Sequence, residues 1–218
     1  MRLEESLEIQ STLERHIKKI GSVINLGSGD IHKLKKDKPW VFKHVFDPLT
    51  KKSLVIHADI DSFNGACQIC DLTKSNALDF INTTPKPRLF ILANVLEHVP
   101  KKSVKIILNK IFKAMNKGDF FLITAPFNYP YHPDPIDSMY RPEPKVIAGL
   151  IKLTWLDKKI IECGSFKEEF GKMSLSKKIR KILKLFFIFQ SINNYLRNAH
   201  RLLYLFKSYK ITIILGKK

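Results

Sequence analysis

The sequence predicts an α/β fold: a doubly wound, Rossmann-like sheet of seven strands with helices on both faces. Three observations lead to this prediction. Short apolar runs recur along the 218-residue chain, several of them end in a glycine or an acidic residue, and segments of helical length separate them. Strands that alternate with helices are typical of a parallel sheet, because a parallel crossover needs a long connection. We expect residues 1–218 to form one domain.

The first two strands are predicted by apolar runs with distinctive ends. Ser22-Val-Ile-Asn-Leu-Gly-Ser-Gly-Asp30 places two glycines directly after a strand, and Val55-Ile-His-Ala-Asp59 ends in a carboxylate. Glycine allows a tight turn and a close approach of the backbone to a ligand. A carboxylate at the end of the second strand can accept hydrogen bonds from ribose hydroxyls. A Gly-x-Gly turn alone is a weak signal, but this order favours a nucleotide-like ligand at the carboxyl edge of the sheet.

The other elements follow from the same patterns. Apolar side chains recur at helical spacing over residues 3–20 and 104–115, and a further helix is expected over 145–156. The crossover between the first two strands contains two prolines and lacks a clean helical period, which predicts a short or irregular helix there. Five further strands are expected at Gln68–Leu72, from Arg88, at Asp119–Pro126, at Lys159–Cys163 and at Ile211–Leu215.

Four motifs occur in a fixed order along the chain: Leu-Gly-Ser-Gly at 26–29, Asp-Ile-Asp at 59–61, Asp-Leu at 71–72 and Leu-Glu-His-Val-Pro at 96–100. Over about residues 20–145 this combination resembles the class I S-adenosylmethionine-dependent methyltransferases, in particular a small type 11-like subgroup. The resemblance implies S-adenosyl-L-methionine as the cofactor. It also implies cofactor contacts at Gly27, Ser28 and Gly29 under the methionine part, Asp59 at the ribose, Asp71 and Leu72 at the adenine edge, and Asn94 at the junction with the substrate.

Two positions depart from the pattern of that family. Asn25 stands where an acidic residue is common, and Ile31 stands where a third glycine is frequent. An amide at position 25 can still bond the amino group of the cofactor, but without a charge. Because of these departures, an alternative is that the protein is a catalytically silent relative, which uses the fold as a membrane-docked interaction module.

A proline-rich loop at residues 126–144 follows the fifth predicted strand and therefore lies near the transferred methyl group. Loop residues above a sheet often determine specificity. We expect His132 to be the general base, with His98 as the second choice, if the acceptor is a hydroxyl. The resemblance favours substrate contacts from this loop; its polar residues are Tyr131, His132, Asp134, Asp137, Tyr140 and Arg141. The alternatives are a solvated loop and a structural role for His98.

The basic charge of the chain is concentrated near its carboxyl end. The net charge is +18, and the segment after Glu169 contains twelve lysines and arginines and no acidic residue. Residues 172–207 predict a basic amphipathic helical insertion before the last strand, with Lys177, Lys178, Arg180, Lys181 and Lys184 opposite Leu175, Ile179, Ile182, Leu183, Phe186 and Phe189. A second helix is expected around 192–206. The insertion could contact an anionic membrane, pack on the domain, or bind RNA, in that order of preference.

The cysteine content and the N-terminal composition indicate the redox role of the cysteines and the cellular location. The three cysteines are Cys67, Cys70 and Cys163, and the Cys-x-x-Cys pair falls on a predicted strand, which favours structural cysteines over a metal or redox pair. The acidic N-terminus lacks the apolar core of a signal peptide, so we expect a cytoplasmic protein, peripheral at the inner face of the membrane if the insertion docks there.

The sequence thus favours methyl transfer to an oxygen, or less readily a nitrogen, of a small or lipid-linked saccharide-type acceptor. The alternative enzyme is an RNA methyltransferase. No metal is expected, and the sequence does not indicate an oligomeric state.

Overall fold

A computed structural model describes residues 1–62, 68–132, 136–186, 200 and 203–218. Seven strands form a single sheet in the order β3-β2-β1-β4-β5-β7-β6. Their bounds are β1 Ser22–Leu26, β2 Leu54–Asp59, β3 Gln68–Ile69, β4 Arg88–Ala93, β5 Phe120–Asn128, β6 Thr154–Ser165 and β7 Ser208–Lys217. Strands β1 to β5 pair in parallel, whereas β7 runs antiparallel to both of its neighbours. The predicted seven-stranded α/β fold is therefore confirmed.

Helices cover both faces of this sheet. They are α1 Leu3–His16, α2 Ile31–Asp37, α3 Pro39–Val41, α4 Asp47–Thr50, α5 Lys101–Ala114, α6 Pro144–Ala148, α7 Phe166–Gly171 and α8 Leu175–Phe186. One core packs the buried side of α5, with Leu108 and Ile111, against one face of the central strands. The opposite core packs Ile9 and Leu13 of α1 on the other face. Burial of the central strands on both faces explains why their sequences are continuous apolar runs.

The crossover between β1 and β2 is irregular, as its prolines predict. Short α2 and α3 are followed by a π-helical turn, Phe42–Phe46, and then by α4. Pro39 lies in the first turn of α3, where a missing backbone N–H removes no helical hydrogen bond, and Pro48 directly follows the π-helical turn. The crossover therefore consists of the short helix α2 and a second helical stretch over residues 39–50 that contains the π-helical turn.

Several sequence-based boundaries are wrong. The helix expected over 145–156 ends at Ala148, because the chain turns at Gly149 and pairs with β7 from Thr154 onward. β6 consequently has 12 residues, and the short strand expected at Lys159–Cys163 is only its central part. Long-range pairing with β7 decides this segment, and no local pattern reports that pairing. The amino-terminal helix also ends earlier than expected, at His16.

Helix α8 lies between β6 and β7, inside the segment 172–207 that the sequence predicts as a basic helical insertion, and the insertion as a whole stays a prediction. Most of the second expected helix, at 192–206, falls outside the described residues; its described end, Leu203–Leu205, is a 3₁₀ turn. Within the described residues, no helix combines the length and the apolar character needed to span a membrane.

Candidate functional site

The turn after β1 is built by two glycines in the left-handed region. Gly27 and Gly29 have φ of 72° and 64°. A Cβ at Gly27 would clash with the side chain of Val95, whereas a Cβ at Gly29 would meet no atom within 4 Å. Gly27 is thus required by packing and by backbone conformation, and Gly29 borders open space. A turn of this shape exposes backbone next to a cleft, which suits a ligand that approaches closely.

Asp59 joins the end of β2 to this turn. Its Oδ2 accepts the Gly29 N–H at 2.8 Å, and its Oδ1 accepts the N–H of Ile60 at 2.8 Å. The Gly27 and Ser28 amides also donate to the Ala58 carbonyl. Asp59 therefore holds the glycine turn, and each carboxylate oxygen has a second lone pair for a further donor. These residues fit a ligand with vicinal hydroxyls, which is the role the sequence predicts for Asp59.

Asn25 lies buried beneath the turn. Its amide nitrogen lies 3.0 Å from Nδ1 of His57, its partner across β1 and β2. Burial lowers the pKa of His57 to about 4, so the ring is neutral near pH 7 and Nδ1 can accept this hydrogen bond. The sequence did not single out His57. The Asn25 amide is already engaged inside the protein, and its contact with a cofactor stays a prediction.

The predicted adenine edge lies just after β3. Asp71 Oδ1 accepts hydrogen bonds from the backbone and side chain of Thr73, which lower the Asp71 pKa. Leu72 is partly buried against the core, and its carbonyl accepts a hydrogen bond from Lys110 Nζ at 2.7 Å. Local bonds hold this corner in one conformation. Cys70 is buried and donates its thiol to the Ala77 carbonyl, which is a structural role as expected.

Asn94 directly follows β4 and adopts a left-handed conformation with φ of 55°. Its amide nitrogen donates to Glu5 Oε1 at 2.8 Å, and Thr124 of β5 donates its hydroxyl to the same oxygen at 2.7 Å. Glu5 is fully buried and lies on α1. The amino-terminal helix therefore contributes a carboxylate to the carboxyl edge between β4 and β5, a site element that the helical pattern of residues 3–20 did not reveal.

The proline-rich loop is organised by Asp137, whose side chain is fully buried. The Arg141 guanidinium donates to both of its oxygens, at 2.7 and 3.1 Å, and the backbone N–H groups of His132 and Met139 donate to it as well. Burial favours the neutral acid, but these hydrogen bonds outweigh it and lower the Asp137 pKa. Asp137 and Arg141, which the sequence predicts as substrate residues, thus make most of their hydrogen bonds within the loop itself.

His98 and His132 come together, as a shared catalytic role requires. Their ring centroids are 5.4 Å apart, in an edge-to-face arrangement. Each Nε2 lies 3.8 Å from Oε1 of Glu97, which is fully buried. Burial lowers the His132 pKa to about 4 and raises the Glu97 pKa to about 8. Glu97 stood in the Leu-Glu-His-Val-Pro motif, but nothing in the sequence indicated that it is buried beside both rings.

Three other predicted positions complete the loop. Tyr131 is partly buried, and its N–H donates to Nδ1 of His200 at 3.0 Å. Tyr140 packs against the core, and burial raises the pKa of its phenol. Asp134 lies outside the described residues. Ile31, the second departure from the family pattern, is the first residue of α2, whose cap is the Asp30 side chain.

A cavity of about 650 Å³ lies at the opposite edge of the sheet. Its lining includes Lys86 and Lys117, which precede β4 and β5. Because the glycine turn and the histidines follow the strands, this lysine-lined cavity is remote from them. The chemistry points to the carboxyl edge, where ligands bind in doubly wound sheets.

The strand order, the antiparallel β7 and the glycine turn at the carboxyl edge together define a Rossmann-like fold of the class I methyltransferase type. Among solved structures, the chain is similar to coclaurine N-methyltransferase bound to N-methylheliamine and S-adenosylhomocysteine, with a TM-score of 0.56 and 16% identity over 99% of this chain and 73% of that one.

It is also similar to a 1,6-didemethyltoxoflavin-N1-methyltransferase from Burkholderia thailandensis, bound to 1,6-didemethyltoxoflavin and S-adenosylhomocysteine. That match has a TM-score of 0.52 and 10% identity, over 98% of this chain and 78% of that one. No protein-family model and no curated sequence matches the chain. These likenesses establish the fold, and the sequence-based assignment to a type 11-like subgroup stays a prediction.

Proposed function

We propose that this protein is an S-adenosylmethionine-dependent methyltransferase that acts on a small-molecule acceptor. One observation carries the proposal: the open glycine turn held by Asp59 and the Glu97–His98–His132 cluster both follow parallel strands at one edge of the sheet. Val95 links the two, because it packs on Gly27 and is two residues from Glu97. The first group suits a nucleoside with ribose hydroxyls, and the second suits proton transfer.

Each group has a separate task in this proposal. Gly27, Gly29 and Asp59 hold the cofactor, whose sulfonium supplies an electrophilic methyl group. The Asp137–Arg141 pair keeps the loop in place so that an acceptor is aligned with that methyl and water is excluded. Asn94 and Glu5 fix the floor between β4 and β5.

The histidine cluster favours an oxygen acceptor over nitrogen. A neutral amine can attack a methyl group without prior loss of a proton, whereas a hydroxyl gains from a base. His132 is neutral near pH 7, but its lowered pKa makes it a weak base on its own. Burial raises the pKa of Glu97 to about 8, so this carboxyl group is mostly protonated near pH 7, and its Oε1 lies 3.8 Å from Nε2 of His132. His98 is the second candidate base.

We propose more specifically that the acceptor is a saccharide or a lipid-linked saccharide. A lipid-linked acceptor would suit the exposed face of α8. Leu175 is 72% exposed, and Ile179 and Ile182 are 48% and 45% exposed. Lys177 and Arg180 on the same helix are exposed too. Apolar side chains beside basic ones fit an anionic leaflet, so we propose that the protein is cytoplasmic and docks peripherally at the inner face of the membrane.

Calorimetric titration with S-adenosylhomocysteine tests the cofactor part of the proposal, and saturable binding at one site is expected. Transfer of a labelled methyl group to a panel of saccharides, lipid-linked saccharides, amines and RNA then tests the acceptor. Failure to bind S-adenosylhomocysteine would overturn the enzyme proposal and favour the silent interaction module. Transfer to RNA alone would replace the small-molecule acceptor with the alternative enzyme.

A further inference from the structure

Glu97 is the least satisfied charged residue in the described part of the chain. Its exposure is 0%, and neither carboxylate oxygen accepts a hydrogen bond from another residue. No lysine or arginine in the described part of the chain forms an ion pair with it. The Arg141 guanidinium and the Met1 ammonium act on its charge from a distance, but a buried carboxylate without hydrogen-bond donors still loses more hydration than such contacts return. Such a group needs a proton or a cation.

Two imidazoles point their acceptor nitrogens at this carboxylate. His98 Nδ1 lies 2.6 Å from the Ile136 carbonyl, and His132 Nδ1 lies 3.1 Å from the Pro130 carbonyl. Because a carbonyl only accepts hydrogen bonds, each Nδ1 carries a proton, and in the neutral form of each ring Nε2 then carries a lone pair. Both Nε2 atoms then face Glu97 Oε1 at 3.8 Å, a separation too long for a hydrogen bond.

Three electron-pair donors therefore converge on one point, and the distances are close to those around a metal ion. The ligand atoms of Glu97, His98 and His132 all lie within 4.8 Å of one another. Ligand bonds of about 2.1 Å in a tetrahedral site place ligand atoms roughly 3.4 Å apart. A shift of about 1 Å or less in each side chain closes that gap.

The surroundings of the rings resemble those of metal-binding histidines. Such histidines donate the other ring N–H to a carbonyl or carboxylate, which fixes the tautomer. Here both rings donate the Nδ1 proton to a backbone carbonyl. Asp137 Oδ2 also lies near His132, at 3.4 Å from its Nδ1. The side chains of His98 and His132 are 21% and 27% exposed, so a ligand can reach the cluster from solvent.

We propose that Glu97, His98 and His132 form a binding site for a divalent first-row transition metal ion, with at least one coordination position left open. Two imidazole nitrogens and one carboxylate oxygen favour Zn²⁺, Fe²⁺ or Mn²⁺ over Mg²⁺ and Ca²⁺, which prefer oxygen ligands alone. The bound ion joins the turn after β4 to the loop after β5.

The metal site does not rest on the proposed methyl transfer, but it changes how the reaction would work. A metal ion on His132 Nε2 removes that atom as a proton acceptor. The ion would instead lower the pKa of an acceptor hydroxyl placed in its open position. His132 therefore cannot be both the general base and a metal ligand. The metal content of the purified protein decides between the two roles.

Titration of chelator-treated protein with Zn²⁺, Mn²⁺ and Mg²⁺ tests the proposal. One Zn²⁺ or Mn²⁺ ion per chain should bind saturably, at least tenfold more tightly than Mg²⁺. Glu97→Gln, His98→Ala and His132→Ala should each weaken binding at least tenfold, and His16→Ala, at the other end of the sheet, serves as the matched histidine control. The absorption of bound Co²⁺ should show nitrogen and oxygen ligation without a thiolate charge-transfer band.

Circular dichroism and thermal melting establish that each variant is folded. If a histidine variant unfolds, Glu97→Gln still tests the site, because glutamine has nearly the same shape as glutamate. Absence of one-to-one binding would overturn the proposal, as would affinity unchanged in Glu97→Gln or a thiolate band in the Co²⁺ spectrum. None of these readings depends on methyl transfer, and S-adenosylhomocysteine titration of the same samples reports on the proposed function separately.

Discussion

Replacement of Asp59 by alanine tests the ribose role that links the glycine turn to a cofactor. The side chain accepts two backbone hydrogen bonds at 2.8 Å, from Gly29 and Ile60, and offers its remaining lone pairs to a ligand. A hydrogen bond to a charged group contributes about 1.5–3 kcal/mol. Loss of the ribose contact should therefore weaken S-adenosylhomocysteine binding by about 1–3 kcal/mol, which is roughly 5- to 150-fold in Kd.

Asp59→Ala also removes the bond to Gly29, so the variant alone does not separate a ribose contact from a loosened turn. Calorimetry with an S-adenosylhomocysteine analogue that lacks the ribose hydroxyls separates them. If Asp59 binds the ribose, the variant should lose less affinity for the analogue than for the full ligand, because the two changes remove the same interaction. Equal losses would refute the ribose contact and leave Asp59 as a support of the turn. Asp47→Ala, an equal charge change on α4 just before β2, is the control and should bind as the wild type does.

Three other outcomes are expected. His132→Ala should lower turnover by roughly 10²–10⁴-fold with cofactor affinity nearly unchanged, whether the ring accepts a proton or holds a metal; full activity would transfer the role to His98 or to no base. Replacement of Ile179 and Ile182 by serine, or of Lys177, Lys178 and Arg180 by glutamine, should abolish salt-sensitive sedimentation with anionic vesicles and leave the melting temperature unchanged. Destabilisation by the serine changes without vesicle binding would instead mean that α8 packs on the domain, and tight RNA binding without vesicle binding would favour the nucleic-acid alternative. The folded pKa of His57, about 4, lies below that of an unfolded histidine near 6.5, so the unfolded chain binds the extra proton first and the free energy of unfolding should fall as pH drops from 6.5 to 4. His57→Gln should flatten this slope in denaturant titrations at several pH values, and an unchanged slope would contradict the buried neutral ring.

The sequence alone determined the features that depend on neighbours along the chain. The central strands are mostly apolar because both of their faces are buried, and that pattern is visible without a structure in Leu89–Leu92 and, apart from Asn25, in Val23–Leu26. Gly27 and Gly29 mark a turn with positive φ, where other residues are strained. The prolines of the crossover likewise predicted its short, irregular helices.

Only the tertiary structure decided which polar groups meet, because those contacts join distant segments. Glu5 reaches Asn94 and Thr124 across 89 and 119 residues, and the apolar period of α1 says nothing about a carboxylate at the edge of the sheet. The length of β6 follows from its pairing with β7, which overrode the helix expected locally. Glu97 shows the same limit: the motif placed it beside His98, but its burial and its lack of donors arise from the packing of the turn against a loop some 35–40 residues further on. Local propensity is set by neighbours in sequence, whereas burial and charge pairing are set by neighbours in space, and so the fold was predictable here and the chemistry of the cluster was not.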